Sequence, residues 1–307
     1  MTPDILFYSI IAILVLSFLI DKYLDALNAK HFNDVIPEAL HDVYEIQEYK
    51  KSQHYKKEKY RFGLLTSVIS FIATLLFFFL DGFAIVDSWA RSFSDEPIVI
   101  TLLFFAILAI ASDVLTTPFS YYNTFVIEEK YGFNKTNTAT FFLDKIKGWG
   151  MMLLAGGALL AAITWFYEVT GTVFWLYAWG VITLFTLFMN LFYARLIVPL
   201  FNKQTRLPES SLRTKIETYA KKVDFSLSHI FVIDGSKRST KANAYFSGFG
   251  SEKRVTLYDT LINDLDDEEI VAVLAHEVGH YKKKHIIYNL LSSILLTGLT
   301  LYILSLL

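Results

Sequence analysis

Six stretches of this 307-residue chain contain no Asp, Glu, Lys or Arg and approach the thickness of a lipid bilayer. They are Ile5–Ile20, Phe62–Leu80, Pro97–Ser112, Gly148–Tyr167, Val169–Ala194 and Ile286–Leu307, with lengths of 16, 19, 16, 20, 26 and 22 residues. A hydrocarbon core about 30 Å thick needs about 20 apolar residues in a helix. The two short runs extend readily. The first continues through Ala26, with Asp21 and Lys22 reaching back to the interface. The third passes Asp113 and continues along Val114–Ile127. Six such runs argue against burial in one soluble core. The expected fold class is therefore mostly α, a polytopic helical membrane protein with spans near 5–26, 62–80, 97–120, 148–167, 169–194 and 286–307. The first run reads as a retained helix, because Met1–Asp4 carries no positive charge and no A-x-A cleavage site follows.

Loop charge tests this reading independently. If all six runs span, the segments between them alternate sides. Loops 21–61 and 128–147 and the long segment Arg195–His285 together carry 27 Lys and Arg, whereas the loop at 81–96 and the turn at Glu168 carry 1. Positive charge accumulates on the cytosolic side. The long segment is thus expected in the cytosol and the N-terminus on the opposite side.

The chain has no cysteine, which excludes disulfide frameworks, thiol nucleophiles and Cys-ligated metals. A net charge of −2 gives no footprint for nucleic acid, so no nucleic-acid partner is expected. Chemistry must come from the polar segment 195–285, which is long enough for a small domain. Ser211–Val223 reads as a helix, and Ser228–Ile233 as a strand ending at Asp234–Gly235. Asn243–Phe246 and Arg254–Tyr258 read as strands of a hairpin through Gly248 and Gly250. Leu265–Lys284 reads as a helix, with Asp266 at its N-cap and Glu269 three residues on.

That last helix contains His276-Glu277-Val278-Gly279-His280, the H-E-x-x-H pattern. With 7 His in the chain, about 0.007 matches are expected by chance. Residues four apart share a helical face, so two imidazoles there can converge on one Zn²⁺. Glu277 is rotated about 100° from His276, which suits it to reach a water held at the metal and act as general base. The other histidines lack such a context. His31, His41 and His54 sit in a charged loop, and His229 flanks a strand. His285 lies about 140° round a continuous helix from His280, a poor position for a ligand to the same ion.

Around this motif lie further recognisable blocks: Phe125-Val126-Ile127-Glu128-Glu129-Lys130-Tyr131-Gly132-Phe133-Asn134-Lys135, Pro199-Leu200-Phe201-Asn202-Lys203, Leu207-Pro208-Glu209, Asp234-Gly235-Ser236-Lys237-Arg238-Ser239 and Asn243-Ala244-Tyr245-Phe246. Together they resemble the type I CAAX prenyl endopeptidases, integral-membrane zinc metalloproteases that cleave behind a prenylated cysteine. The resemblance implies a small α+β zincin-like cytosolic domain at 195–285 and a membrane domain at 1–194, with the sixth span at 286–307. It implies zinc on His276 and His280, and Glu277 as catalytic base. Asn243, Ala244 and Tyr245 would form an edge strand that pairs with an extended substrate. Asp113, Asn123, Glu168 and Asn190 are candidates to line the water-filled chamber that such proteins enclose. The implied partners are a protein or peptide substrate, prenylated or otherwise membrane-associated, and the lipid bilayer. The implied place is a bacterial inner membrane or the endoplasmic reticulum membrane.

One departure from the family pattern stands out. The family takes its third zinc ligand from a Glu on a later helix, with an oxyanion-stabilising His beyond it. After His285 no Asp, Glu, His, Lys or Arg remains in this sequence. The 307 residues are therefore expected to be an N-terminal piece, weakly active or inactive alone, with a seventh span missing. Two alternatives follow: a membrane scaffold with a relict metal site, or a bacterial quality-control protease.

Overall fold

The computed structural model describes residues 2–33, 35–225, 227, 229–248 and 253–306. They gather into two compact units, Met1–Gly132 and Phe133–Leu307.

In the first unit, helix α1 (Pro3–Ala29) opens on Thr2, whose hydroxyl accepts from the Ile5 N–H. Pro3 sits where a helix has no use for an N–H. Helix α2 (Ile46–Phe79) begins 16 residues before its apolar run, so its first half is charged. Rings join the two helices: Phe18 stacks on Phe71 at 4.0 Å, and Phe7 meets Phe78 and Phe79 edge-on. Leu16 and Leu19 of α1 remain more than half exposed, an apolar surface that suits lipid. Residues 82–93, read from sequence as loop, form the amphipathic helix α3 (Gly82–Phe93), with Val86 and Ala90 buried and Trp89 and Phe93 outside. Helix α4 (Pro97–Tyr122) passes Asp113, as expected, and continues as a π turn over Asn123–Glu128. That wider turn places Asn123 and Glu128 where both accept from Lys59 Nζ, at 2.6 and 3.2 Å. Tyr55 also donates to Glu128, at 2.7 Å.

The second unit begins with a continuous helical stretch of 64 residues, Thr138–Phe201. Straight, it would run about 96 Å, some three bilayers. It is instead broken into α5 (Thr138–Met151), a π segment at Met152–Gly156, α6 (Gly157–Thr170), α7 (Phe174–Leu196) and α8 (Val198–Phe201). The reversal sits at Gly171, with φ +57 and ψ −129, a conformation that side chains exclude. It folds α7 back on α6, and Phe166 stacks on Tyr177. Among the described residues, 5 helical stretches are long and apolar enough to cross a membrane. The 64-residue one supplies two legs, at the fourth and fifth apolar runs of the sequence. Helix α12 (His285–Ser305) lies against α7, where Trp179 donates its indole N–H to the Ile294 carbonyl at 2.8 Å.

The polar segment forms a four-stranded sheet of β1 (Gln204–Arg206), β2 (His229–Ile233), β3 (Ala244–Ser247) and β4 (Arg254–Tyr258), in the order β1-β2-β4-β3. β2 and β4 are parallel and the other pairs antiparallel, so β3 is an edge strand. Helices α9 (Ser211–Lys222), α10 (Asp259–Asp264) and α11 (Asp267–Lys282) complete the domain. Its core joins Ile216 of α9, Val255 and Leu257 of β4, Leu261 of α10, and Ile270 and Leu274 of α11, each at most 3% exposed. The expected helix from Leu265 starts at Asp267, behind the expected cap at Asp266. The three-residue β1 is too short to show in the pattern. β3 and β4 pair as the expected hairpin, with Gly248 at φ +86, while Gly250 and Ser228 lie outside the described residues.

A strap ties the start of this unit to its sheet domain. Lys135 N–H donates to the Arg238 carbonyl at 3.0 Å, and Thr240 N–H to the Phe133 carbonyl at 3.1 Å. Arg238 grips both oxygens of Asp144, at 2.7 and 2.8 Å. These bonds, with the seat of α12 on α7, group α5–α7 with the sheet domain. Contact density therefore divides the chain at Gly132, whereas polarity changes at Arg195.

Candidate functional site

Helix α11 carries the candidate chemistry, and its sequence specifies both its start and its orientation. Asp266 accepts from Glu269 N–H at 2.8 Å, and Glu269 returns the bond to Asp266 N–H at 3.0 Å, a closed capping box. Asp267, Glu268 and Glu269 fill the positive end of the helix dipole, and His280 and Lys282 the negative end. Ile270, Leu274 and Val278 recur every four residues and are buried. That anchoring turns His276 and His280 outward to exposed positions and leaves Glu277 half-buried between the two faces.

The structure brings the two histidines together as expected. Their Nε2 atoms lie 3.0 Å apart, and their ring centroids 4.7 Å. Two nitrogens on one tetrahedral zinc, each about 2.0–2.1 Å from it, sit about 3.3–3.4 Å apart. The pair thus needs only a few tenths of an ångström of widening to share an ion. Among the described residues, no third Cys, His, Asp or Glu joins them in a set able to hold a metal. The residues present supply two positions of such a site.

His285 departs from its expected place. Helix α11 stops at Lys282, and Lys284 takes a left-handed conformation, φ +57 and ψ 26, before α12 begins. This break replaces the continuous helix assumed from sequence. His285 Nδ1 comes to 2.9 Å from His280 Nδ1, on the ring edge facing away from His276. His285 is therefore a direct neighbour of His280, although it does not face the space between the two Nε2 atoms. No Gly or Pro between 280 and 286 signals the break, so sequence pattern alone misses it.

Beside α11 runs β3, whose outer edge pairs with no strand among the described residues. Asn243 leads into it: its carbonyl accepts from Tyr258 N–H at 3.0 Å, and its side chain accepts from Ala244 N–H at 2.8 Å. Ala244 and Phe246 turn to the core. Tyr245 and Ser247 turn the other way and line a cavity of about 430 Å³ with Asn190 and Tyr193 of α7 and Ile286 of α12. Burial pushes the Tyr245 phenol above its ordinary pKa, so it stays neutral.

The other polar candidates fall in both units, Asp113 and Asn123 in the first and Glu168 and Asn190 in the second. Asn123 and Glu128 are engaged by Lys59, the Asp113 carbonyl accepts from the Thr117 hydroxyl, and Glu168 is exposed. In the second unit, Asn190 borders the cavity beside β3. His41 bonds the Ile36 carbonyl at 2.9 Å, and His229 opens β2.

Comparison with known proteins agrees with this architecture. Residues 25–203 match the family model described as CAAX prenyl protease N-terminal, five membrane helices, and residues 206–307 match peptidase family M48. A CAAX prenyl protease 1 homolog of Oryza sativa is 35% identical over 92% of this chain and 68% of its own length. CAAX prenyl protease 1 of Saccharomyces cerevisiae is 34% identical over 86% of this chain, which spans 61% of it. The crystal structure of S. mikatae Ste24p is similar over 97% of this chain and 72% of that one, with a TM-score of 0.90 at 34% identity. The membrane part and the polar part thus match one set of relatives, and the chain belongs to peptidase family M48, as a membrane-embedded metalloprotease of the CAAX prenyl protease type.

Proposed function

We propose that His276, Glu277 and His280 form part of a site that hydrolyses peptide bonds near the C-terminus of membrane-associated proteins, prenylated ones included, with the two histidines supplying two of the ligands to zinc. The observation that carries the reading is the 3.0 Å approach of the two Nε2 atoms on an exposed helix face. When bound, zinc supplies Lewis acidity toward the scissile carbonyl and lowers the pKa of water. Glu277 takes the proton of the attacking water and delivers it to the departing amine nitrogen, so the peptide C–N bond breaks with protons balanced. An extended substrate pairs with the free edge of β3 from Asn243 through Tyr245, and one of its side chains enters the cavity lined by Tyr245, Ser247 and Asn190. Residues 1–194 and 286–307 serve as the membrane part, and 195–285 as the catalytic part, facing the cytosol.

The test is zinc content and cleavage together. Elemental analysis of the purified chain should show zinc that His276→Ala removes, and equal zinc in both would end the metal reading. Cleavage assays on matched peptides with and without a prenyl group separate the two substrate classes.

A further inference from the structure

Resting on that reading of the site, we propose that His285 is a positioning residue. By accepting a hydrogen bond from the Nδ1–H of His280, it keeps the Nε2 lone pair of His280 free for the metal.

The argument begins with three rings in a row. His276 Nε2 meets His280 Nε2 at 3.0 Å, and His280 Nδ1 meets His285 Nδ1 at 2.9 Å. The rings stand at 68° and 76° to one another, with centroids 4.7 and 4.9 Å apart. A neutral imidazole carries one proton, so His280 can donate through one nitrogen only. Two proton arrangements satisfy the row. In one, His285 donates to His280, and His280 donates from Nε2 toward His276. In the other, His276 donates to His280 Nε2, and His280 donates from Nδ1 to His285. A metal shared at the two Nε2 atoms is compatible only with the second orientation at His280, because a protonated Nε2 has no lone pair to give. Metal-bound histidines commonly donate their remaining N–H to a fixed acceptor, which sets ring orientation and raises ligand basicity. His285 Nδ1 occupies that acceptor position.

The backbone that delivers this nitrogen is specific. On an unbroken helix, a residue five positions on points about 140° away. The left-handed turn at Lys284, φ +57, swings His285 back over the end of α11. Left-handed backbone is uncommon for residues other than Gly, and here it brings one imidazole to another. The same turn starts α12, whose second residue, Ile286, borders the cavity beside β3. The metal-facing end of α11 is thus linked through His285 to the membrane helix that follows.

The experiment titrates the full 307-residue chain in detergent with Zn²⁺ alone, against a chromophoric chelator. His285→Phe keeps a ring but removes the acceptor, and should weaken zinc binding by about 10–100-fold, the usual cost of losing such a partner. Asn places an Oδ1 where His has Nδ1, so His285→Asn should restore most of that affinity. In two-bond ¹H–¹⁵N spectra of the metal-free chain, His280 should be Nδ1-protonated in the wild type and should shift toward the Nε2-protonated form in His285→Phe. Wild-type affinity in His285→Phe, or equal loss in Phe and Asn variants, would overturn the proposal. His276→Ala keeps the two failures apart. Zinc that survives His276→Ala refutes the metal site itself, whereas zinc lost there but retained in His285→Phe refutes only the role of His285.

Discussion

Glu277 is the proposed catalytic base, and its surroundings suit a proton carrier more than a structural anchor. It is half-buried on α11, beside but not on the face shared by His276 and His280. Among the described residues no side chain pairs with it. Glu277→Gln should therefore leave expression, melting temperature and zinc affinity close to wild type. In a preparation that cleaves peptide, the same change should lower the rate by about 10²–10⁴, the range for general acid–base catalysis. Cleavage indifferent to Glu277→Gln would remove the residue from the mechanism. The i, i+4 geometry of His276 and His280 was readable from spacing, since helical pitch alone dictates it. The contact between His280 and His285 was not, because one backbone angle at Lys284 creates it.

At the scale of elements, α11 holds its direction through a capping box, a buried stripe and a bridge to α9. Leu274 is 1% exposed in the core, so Leu274→Ala should cost about 2–5 kcal/mol and lower the melting temperature. Asp267 takes a hydrogen bond from Ser211 and faces Lys215 Nζ at 3.2 Å, and these contacts hold its carboxyl below the ordinary range. A carboxyl depressed by folding stabilises the fold above its unfolded pKa, and that contribution fades as pH falls through the folded value. Asp267→Asn should therefore melt earlier than wild type at pH 7, and the gap should close in acid below the ordinary Asp range. A gap that persists there would rule out the charge-based account. In the membrane pair, a Cβ on Gly298 would come within 2.8 Å of the Trp179 ring. Gly298→Leu should lower the melting temperature by forcing α12 off α7, and Trp179→Ala in the same chain should recover part of the loss. No recovery would mean that close approach is not what Gly298 provides.

At the scale of the molecule, the spans and the charge bias make one topological statement. With 27 of 28 Lys and Arg assigned to one side, the sheet domain should face the cytosol. The chain has no cysteine, so single introduced thiols report cleanly. Lys222→Cys on α9 should react with an impermeant maleimide only from the cytosolic face of oriented vesicles, and Ser88→Cys on α3 only from the other. The reverse pattern would invert the topology and place catalysis on the opposite side.

What the sequence alone determined is whatever depends on local period and composition. Charge-free runs of span length need no partner to declare themselves, because each is recognised against lipid. The H-E-x-x-H pair, the Asp266 cap and the two hairpin strands follow from helical pitch, short-range hydrogen bonds and alternation. Tertiary structure decided what depends on single backbone angles or on distant neighbours. Gly171 folds one 64-residue helical stretch into two legs, and a π turn brings Asn123 and Glu128 to one lysine. Arg238 reaches Asp144 across 94 positions of chain and helps join α5–α7 to the sheet domain. Lys284, left-handed without a glycine to announce it, turns His285 onto His280. A periodic pattern averages over many residues and so cannot register one inverted dihedral, yet that dihedral sets which side chain meets the Nδ1 edge of the candidate ligand.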